Sequence, residues 1–295
     1  MPDVKFADNP ADPTQFPLGK MAPARHAGTM DLHDEYAEHD EAPPATPAAT
    51  LVIFRNAPQG GAPQILMVER SASMTFAGGA AVFPGGRVDE ADRDLARSMG
   101  AEEGDPRDEL AARVAAVRET LEETGLLVGL TQRPTRDEAL AARELLLHRK
   151  ELAPVLNQMG WSIAPDALLP FARWRPKHRH MRVYDTRFYL ADLGTGAVDL
   201  LVDSTENTHL FWASAAETLD LADSGRIKVI FPTRRNLERL AQFGSFDDAV
   251  AHVAQFPSRM ITPFMETRDG VPWLAIPDDA GYPVTGEVLE SAARG

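Results

Sequence analysis

The stretch PRDELAARVAAVRETLEETG, residues 106–125, has the pattern of one amphipathic helix that ends at a glycine. At about 100° per residue, its large aliphatic side chains fall within one sector of the helix. They are Leu110, Val114, Val117 and Leu121. Asp105 is predicted to be the N-cap, with Pro106 in the first turn, and Gly125 is typical of a C-terminal stop. The sequence therefore predicts a helix over this stretch that packs against a core along one side.

Three glutamates lie on the opposite side of this predicted helix, near its end. Glu119, Glu122 and Glu123 fall within about 100° of one another on the helical wheel. Repulsion between like charges and the helix dipole both disfavour carboxylates at these positions. A divalent cation reverses this effect, because Mg²⁺ and Mn²⁺ prefer hard oxygen ligands. Taken alone, the motif has a second interpretation, which is an ordinary solvated glutamate face.

Composition limits the classes of function. The chain has 295 residues, a formal net charge of −14 and no cysteine. This charge argues against a broad basic face for sequence-independent nucleic-acid binding, so we expect no nucleic-acid partner. Without cysteine, disulfides, thiolate metal sites and cysteine nucleophiles are excluded. Any metal must therefore be held by oxygen or imidazole.

The N-terminal residues MPDVKFADNP lack the basic-then-apolar layout of a secretory signal. No uninterrupted apolar run approaches the roughly 18 residues of a membrane span. We therefore expect a cytoplasmic protein without a membrane partner.

Three regions differ in composition along the chain. Residues 1–47 are rich in Pro, Ala and acidic residues, and are predicted to be a flexible N-terminal arm. Residues 48–257 are predicted to be the folded domain, with regular structure beginning at Leu51. Residues 258–295 are predicted to be a C-terminal extension.

Short β-rich runs alternate with helical patterns in the predicted domain. Strands are expected at residues 51–56, 64–70, 79–83, 181–193 and 201–214, with a turn at 84–86. Further helices are expected at residues 135–160, after a capping box of Ser214 and Glu217, at 233–242 and at 246–256. This alternation predicts an α/β or α+β sandwich.

Two segments together resemble the Nudix box, FPGGRVDEAD at 83–92 and RETLEETGLL at 118–127. In that family the box runs Gly, five residues, Glu, seven residues, then Arg-Glu-aliphatic-any-Glu-Glu-any-Gly-aliphatic. The matching residues are Gly86, Arg118, Glu119, Glu122, Glu123, Gly125 and Leu126. The resemblance implies an α/β fold, a Nudix α/β/α sandwich with a mixed sheet and additional helical segments.

The chain departs from this box at three points. Asp92 stands where the family has its first glutamate, and Thr120 replaces the aliphatic residue. Eighteen more residues separate Asp92 from Arg118 than the box allows. The added residues are polar and contain glycine, which predicts an inserted surface loop at 93–107. The insertion leaves the role of Asp92 open.

The resemblance implies roles for the box residues. Nudix glutamates bind Mg²⁺ or Mn²⁺ and position or deprotonate the attacking water. Glu122 and Glu123 would then be metal ligands and Glu119 a ligand or base, while Arg118 would hold a carboxylate in orientation. The alternative for Arg118 is a routine surface ion pair.

Residues outside the glutamate helix complete the candidate site. Glu206, in DSTENTHLFW, is a further candidate acid, and a solvated loop glutamate is its alternative. Gly85 and Gly86 would let the backbone approach a ligand or the helix. Arg182, in a basic patch that begins at Arg173, and Arg70 are candidates for phosphate binding. The alternative for Arg182 is an exposed basic loop. The alternative for Arg70 is a residue that caps a strand.

Similarity over residues 48–255 extends to the Nudix subgroup that contains the peroxisomal coenzyme A diphosphatases of animals, which also carry an insertion in the box. LMVERSASMTFAGGAAVFPGG at 66–86 is similar to the coenzyme A signature of that family, except that Val68 and Thr75 replace its threonine and second arginine. The resemblance implies hydrolysis of coenzyme A or acyl-CoA to a phosphopantetheine and 3′,5′-ADP.

Other interpretations stay open at this point. The partner is expected to be a small-molecule nucleoside diphosphate derivative, and ADP-ribose or NADH would serve as well as coenzyme A. A Nudix-fold sensor that binds a nucleotide without cutting it belongs to another class. A protein that docks a partner on the helices at 135–160 is a third. A homodimer is a further expectation.

Overall fold

The computed structural model describes residues 44–71, 77–177, 183–194 and 207–292. Most of the predicted N-terminal arm lies outside these ranges. Within them, no helix combines the length and the apolar character that crossing a bilayer requires.

In the described part of the chain, eight strands form one mixed sheet. They are β1 (Ala45–Arg55), β2 (Gln64–Arg70), β3 (Ala81–Val82), β4 (Gly85–Arg87), β5 (Leu169–Trp174), β6 (Val183–Asp192), β7 (Asn207–Ser214) and β8 (Met260–Ile261). The order is β3-β2-β1-β6-β5-β8, with β4 paired to β1 and β7 paired to β2. Strands β1 and β6 run parallel from the pair Ala45 and Val183 to the pair Phe54 and Asp192. The other pairs are antiparallel, except β5 with β8.

Helices cover both faces of this sheet. One face carries α1 (Glu90–Ser98), α2 (Asp105–Thr124), α3 (Arg136–Arg149) and α4 (Leu152–Met159). The other carries α5 (Ala215–Asp223), α6 (Phe231–Leu240) and α7 (Phe246–Gln255). Because successive side chains of a strand point to opposite faces, Leu51 and Ile53 pack under the first group, and Val52 and Phe54 under the second. The predicted α/β/α sandwich with a mixed sheet is confirmed.

The predicted C-terminal extension folds onto the same body. It contains β9 (Phe264–Arg268), β10 (Val271–Ala275), β11 (Gly286–Val288) and α8 (Leu289–Ala292). Tyr282 is buried, where its hydroxyl accepts a hydrogen bond from Trp174 Nε1 at 3.0 Å and donates one to Asn236 Oδ1 at 2.8 Å. Residues after 257 therefore complete the core on the α5–α7 face.

The start of the domain differs from the prediction. Strand β1 begins at Ala45, six residues before Leu51, so the expected boundary at residue 47 falls inside a strand. Ala48 and Ala49 are buried, and Pro47 O accepts a hydrogen bond from Val88 N at 2.9 Å. Small residues fit here because β4 and α2 lie close to β1. A composition rich in Ala and Pro therefore does not mark disorder at these positions.

The insertion also differs from the expected loop. Helix α1 occupies Glu90–Ser98, and α2 already begins at Asp105, which leaves only a short loop between them. A capping box between Asp89 and Asp92 starts α1. The side chain of Arg93 pairs with Asp108 and ties α1 to α2. The polar composition of the insertion reflects one exposed side of a short helix.

The ends of the helices agree better with the sequence predictions than the turns between the strands do. Helix α2 ends as predicted, with Gly125 in the left-handed region, although its N-cap is Gly104 rather than Asp105. Ser214 and Glu217 form the predicted capping box at 3.1 and 2.7 Å. The expected turn at 84–86 is instead the start of β4. The stretch at 135–160 forms two helices, and β5 was not predicted.

Candidate active site

The C-terminal half of α2 lies against β4 through two of its glutamates. Glu123 is 3% exposed, and its Oε2 accepts a hydrogen bond from Gly85 N at 3.0 Å. The carboxyl of Glu119 packs on Gly86 so closely that a Cβ at Gly86 would lie 2.4 Å from Glu119 Cδ. A Cβ at Gly85 would lie 2.4 Å from Ala49 O. The two glycines therefore let a helix carrying carboxylates approach the edge of the sheet.

Arg118 is buried and organises the acidic residues around it. Its Nε and Nη2 each donate to Asp92 at 2.9 Å, and its Nη1 donates to Glu119 Oε1 at 2.8 Å. A further bond from Nη2 reaches Arg87 O at 2.9 Å. Arg118 is 4% exposed and Asp92 is 1% exposed. The alternative of a routine surface ion pair for Arg118 is therefore wrong.

Asp92 reaches Arg118 in spite of the insertion. It lies in the first turn of α1, directly after β4, and the added residues follow it along the chain. The insertion therefore lengthens the connection to α2 without moving Asp92 away from β4, the strand that carries Gly85 and Gly86. The residue whose role the sequence left open is a buried partner of the box arginine.

The electrostatics of this group are strongly coupled. Burial raises the pKa of Glu119 to about 7, against the opposing charge of Arg118 and with a further increase from Glu122. For Arg118, burial lowers the pKa, but the hydrogen bond to Asp92 and the charge of Glu119 outweigh it and raise the pKa. Burial therefore disfavours the charged form of Glu119, although the guanidinium of Arg118 lies beside it.

Glu122 lies between two cations from different helices. Its Oε2 is 3.8 Å from Arg118 Nη1, and its Oε1 is 3.6 Å from Lys150 Nζ at the end of α3. Its carbonyl accepts a hydrogen bond from Arg143 Nε at 2.9 Å. Because the last turn of α2 has no basic residue of its own, α3 supplies the cations that balance the helix dipole there.

The alternative of an ordinary solvated glutamate face does not describe this helix. The side chains of Glu119 and Glu122 are 16% and 23% exposed, and Glu123 is buried. Hydration stabilises the charged form of an exposed carboxylate, and these three carboxylates have lost most of that hydration.

Comparison with known proteins places this arrangement in a family. Residues 45–143 match the model of the NUDIX domain. The chain therefore contains a Nudix domain. The matched range includes β4, α1 and α2, so the group around Arg118 is the Nudix box of this chain.

Relatives and solved structures agree with the assignment. The chain is 28% identical over 185 residues to the putative nudix hydrolase 7 of Caenorhabditis elegans. The aligned region covers 62% of this chain and 58% of that protein. It is 27% identical to the acyl-coenzyme A diphosphatase NUDT19 of Gallus gallus, over 68% of this chain and 69% of that protein. The crystal structure of a NUDIX hydrolase from Alicyclobacillus acidocaldarius has a TM-score of 0.59 and 25% identity, covering 70% of this chain and 96% of that one.

The Nudix box contains donors of the type that Mg²⁺ and Mn²⁺ require. Glu119 and Glu122 lie within 3.8 Å of the same guanidinium nitrogen, and both are partly exposed. Glu123 faces the Gly85 amide, and among the described residues no three acidic or histidine side chains already surround a common point. All the donors are carboxylate oxygens, and burial, which raises the pKa of Glu119, disfavours the charged form of that carboxylate in the way that a bound cation would offset. The donor set therefore fits a hard divalent cation.

The structure places some of the predicted substrate residues near the Nudix box and leaves others undescribed. Gly85 and Gly86 contact the box glutamates directly. Arg70 ends β2, and its Nε is buried without a hydrogen-bond partner in the described part of the chain. Glu206 and Arg182 lie outside the described residues.

The predicted basic patch is partly neutralised where it is described. Arg173 donates two hydrogen bonds to Asp185, at 2.7 and 2.6 Å, and the pair lies between adjacent strands β5 and β6. The hydrogen bond to Asp185 raises the pKa of Arg173, against the effect of burial. At this position the patch is part of the fold rather than an exposed loop.

Two residues that approach Glu122 were not predicted from the sequence. They are Arg143 and Lys150. Both belong to the stretch at 135–160, which was predicted only as helix. Their spacing carries no signal, because their approach to α2 depends on how α3 packs in three dimensions. Asp92, in contrast, could be noticed in the sequence, because its spacing from Gly86 is that of the first glutamate of the box.

Proposed function

We propose that this Nudix protein hydrolyses the diphosphate bond of a nucleoside diphosphate linked to another moiety, and that it requires Mg²⁺ or Mn²⁺. The observation that carries the proposal is the placement of Glu119 and Glu122 around the buried Arg118–Asp92 pair, with Glu119 packed on Gly86 of β4. Holding carboxylates in partly buried positions removes their hydration, which is energetically unfavourable. A bound cation would compensate for this cost.

Glu119, Glu122 and Glu123 would hold the cation. A carboxylate oxygen has lone pairs enough to accept the Gly85 amide and still bind a metal, so the contact of Glu123 is compatible with this role. When bound, the cation neutralises the diphosphate and makes water more acidic.

In this proposal, side chains of the protein position the reacting groups and accept the proton of the attacking water. Arg118 is a positioning residue that holds the carboxylate of Glu119 beside Gly86. Glu119 serves as a ligand or accepts the proton of the attacking water, and Glu206 is a further candidate for that proton. Water oxygen forms a bond to phosphorus, the bridging phosphorus–oxygen bond breaks, and the leaving phosphate takes the electron pair.

Coenzyme A and its acyl esters are the leading substrates. The relative from Gallus gallus is named an acyl-coenzyme A diphosphatase, and the spacing of the coenzyme A signature is retained from Leu66 to Gly86. The products would be a phosphopantetheine and 3′,5′-ADP. Arg70 and Arg182 are proposed phosphate contacts, with Gly85 and Gly86 as backbone contacts. Because Thr75 replaces an arginine of the signature, ADP-ribose and NADH are the alternative substrates.

A nucleotide sensor is the alternative from another class. The observation that favours it is the hydrogen bond that Glu123 Oε2 accepts from Gly85 N, which already gives one box glutamate a partner within the fold. A sensor binds the nucleotide derivative with no turnover, and its binding is insensitive to neutralisation of Glu122.

The experiment is a substrate panel with the full chain. Coenzyme A, acetyl-CoA, ADP-ribose and NADH are incubated with Mg²⁺ or Mn²⁺, and products are identified by mass spectrometry. We expect turnover of coenzyme A compounds and a loss of at least about a hundredfold in Glu122→Gln, the scale of losing a key electrostatic group. Glu144→Gln, on an exposed face of α3, is the matched control. Turnover of Glu122→Gln within a few-fold of the parent contradicts the proposal.

A further inference from the structure

Lys150 has a backbone conformation that favours glycine. It is the C-cap of α3, with φ 61° and ψ 8°, and its N–H donates to Leu146 O at 2.7 Å. Glycine is the common residue at this position, because a Cβ is strained in the left-handed region. Helix stability alone therefore does not explain a lysine here.

The side chain of Lys150 points to the Nudix helix. Its Nζ lies 3.6 Å from Glu122 Oε1, while the side chain as a whole is 68% exposed. Arg143, two turns earlier on α3, donates to Glu122 O and fixes α3 against the end of α2. The ammonium group is thus held at the rim of the site by a helix that is itself anchored there.

The ion pair with Glu122 is also a weak reason for a lysine. Exposed pairs contribute little to stability, because water screens the charges and a long side chain loses entropy when it is fixed. Arg118 and Arg143 already supply cations to Glu122 from less exposed positions. The backbone conformation and the exposed ion pair are therefore weak reasons, taken alone, for a lysine at position 150.

We propose that Lys150 is a substrate-positioning residue that binds a non-bridging phosphate oxygen of the diphosphate. The inference rests on the proposed function of the same site. A lysine ammonium is a mobile point charge on a flexible stem, so it can leave Glu122 when a cation binds there and remain beside the site. The diphosphate then replaces Glu122 as its counter-ion, through a charge-assisted hydrogen bond.

The competing explanation is that Lys150 only balances the acidic end of α2. The two explanations differ in what they predict for Lys150→Gly. If the lysine is structural, the variant loses stability and substrate affinity is unaffected in the folded fraction. If the lysine positions substrate, glycine relieves the backbone strain, and the thermal midpoint stays equal or rises while affinity falls.

The test compares three variants of the full chain. Lys150→Gly removes the charge, Lys150→Arg keeps it, and Asp269→Gly is the matched control, because Asp269 has φ 49° in an exposed turn of the β9–β10 hairpin. Binding of methylenediphosphonate with Mg²⁺ is measured by calorimetry, next to the thermal midpoint and the kinetics of coenzyme A hydrolysis.

For Lys150→Gly we expect about tenfold weaker methylenediphosphonate binding and a KM raised about tenfold, with kcat within threefold and no loss of thermal midpoint. Lys150→Arg and Asp269→Gly should bind like the parent. Unchanged binding in Lys150→Gly overturns the inference, and so does a parent that fails to bind methylenediphosphonate.

These outcomes separate the inference from the proposed function. A parent that binds methylenediphosphonate through Lys150 but hydrolyses no compound of the panel supports the inference and rejects the hydrolase. A parent that hydrolyses coenzyme A, with Lys150→Gly indistinguishable in KM and affinity, supports the hydrolase and rejects the inference.

Discussion

Asp92 and Arg118 form a buried ion pair with two hydrogen bonds of 2.9 Å, although 26 positions separate them in the chain. Both residues are almost fully buried. Asp92 also accepts a hydrogen bond from Asp89 N, at 2.9 Å, so the same carboxylate starts α1. One side chain therefore connects the inserted helix to the arginine that orients Glu119.

Removing Asp92 should damage both stability and activity. We expect Asp92→Ala to lower the free energy of unfolding by about 3–5 kcal/mol, because it leaves the charge of Arg118 buried without its main partner. Asp92→Glu should retain most of the activity, since a longer carboxylate can still reach Arg118. Urea unfolding and turnover of coenzyme A measure the two effects.

The control for this prediction is on the same helix. Asp94 pairs with Arg97 at the surface, and Asp94→Ala should change the free energy of unfolding by less than about 1 kcal/mol. An Asp92→Ala variant as stable as Asp94→Ala would show that the buried pair has no structural importance.

The space at Gly86 gives a second prediction. A Cβ at this residue would lie 2.4 Å from the carboxyl carbon of Glu119, so Gly86→Ala forces that side chain to move. We expect turnover to fall at least about tenfold, with a stability loss of about 1–3 kcal/mol, as for overpacked sites. Gly244→Ala is the control, because its Cβ would come no closer than 3.3 Å to any atom. Equal kinetics for the two variants would contradict a constrained Glu119.

Glu123 allows its structural and electrostatic roles to be separated. In Glu123→Gln the side-chain amide oxygen can still accept the hydrogen bond from Gly85 N. We therefore expect the free energy of unfolding to change by less than about 1 kcal/mol, while turnover falls at least about tenfold as a proposed metal ligand loses its charge. Unchanged turnover would remove Glu123 from the proposed ligands and leave it as an anchor of β4.

The elements predicted from sequence are those with local causes. Helix α2 was predicted because its aliphatic stripe, Pro106 and Gly125 all belong to one short segment. Strand β5 was missed because LPFARW is short, contains a proline and runs into a basic segment, so nothing local marks it as buried. The start of β1 was missed because its small residues are selected by neighbours from distant parts of the chain.

The same distinction applies to the candidate site. Glu119, Glu122 and Arg118 could be found because the spacing of one helix brings them together. The pairing of Asp92 with Arg118 depends on how an insertion folds, and the approach of Lys150 depends on the packing of α3. Contacts of this kind have no periodicity in the sequence, so only a structure reveals them.

A pH-dependent loss of stability should arise far from the Nudix box, at Glu238. Burial raises the pKa of Glu238 to about 7, and its Oε2 is buried without a hydrogen-bond partner in the described residues. The unfolded chain loses this proton near its ordinary pKa of 4.5, whereas the folded chain keeps it until about pH 7. Between these values the folded state binds more protons, so the free energy of unfolding decreases as the pH rises.

Comparison with Glu238→Gln isolates this effect from other titrating groups. The amide cannot ionise, so the variant should gain stability relative to the parent as the pH rises from about 4.5 to 7, by on the order of 1 kcal/mol. Above this range the difference should stay constant. Urea unfolding at several pH values measures it, with Glu144→Gln as an exposed control that should follow the parent throughout. A difference that grows toward acid pH would show that the ion pair with Arg235 stabilises the charged form of Glu238 instead.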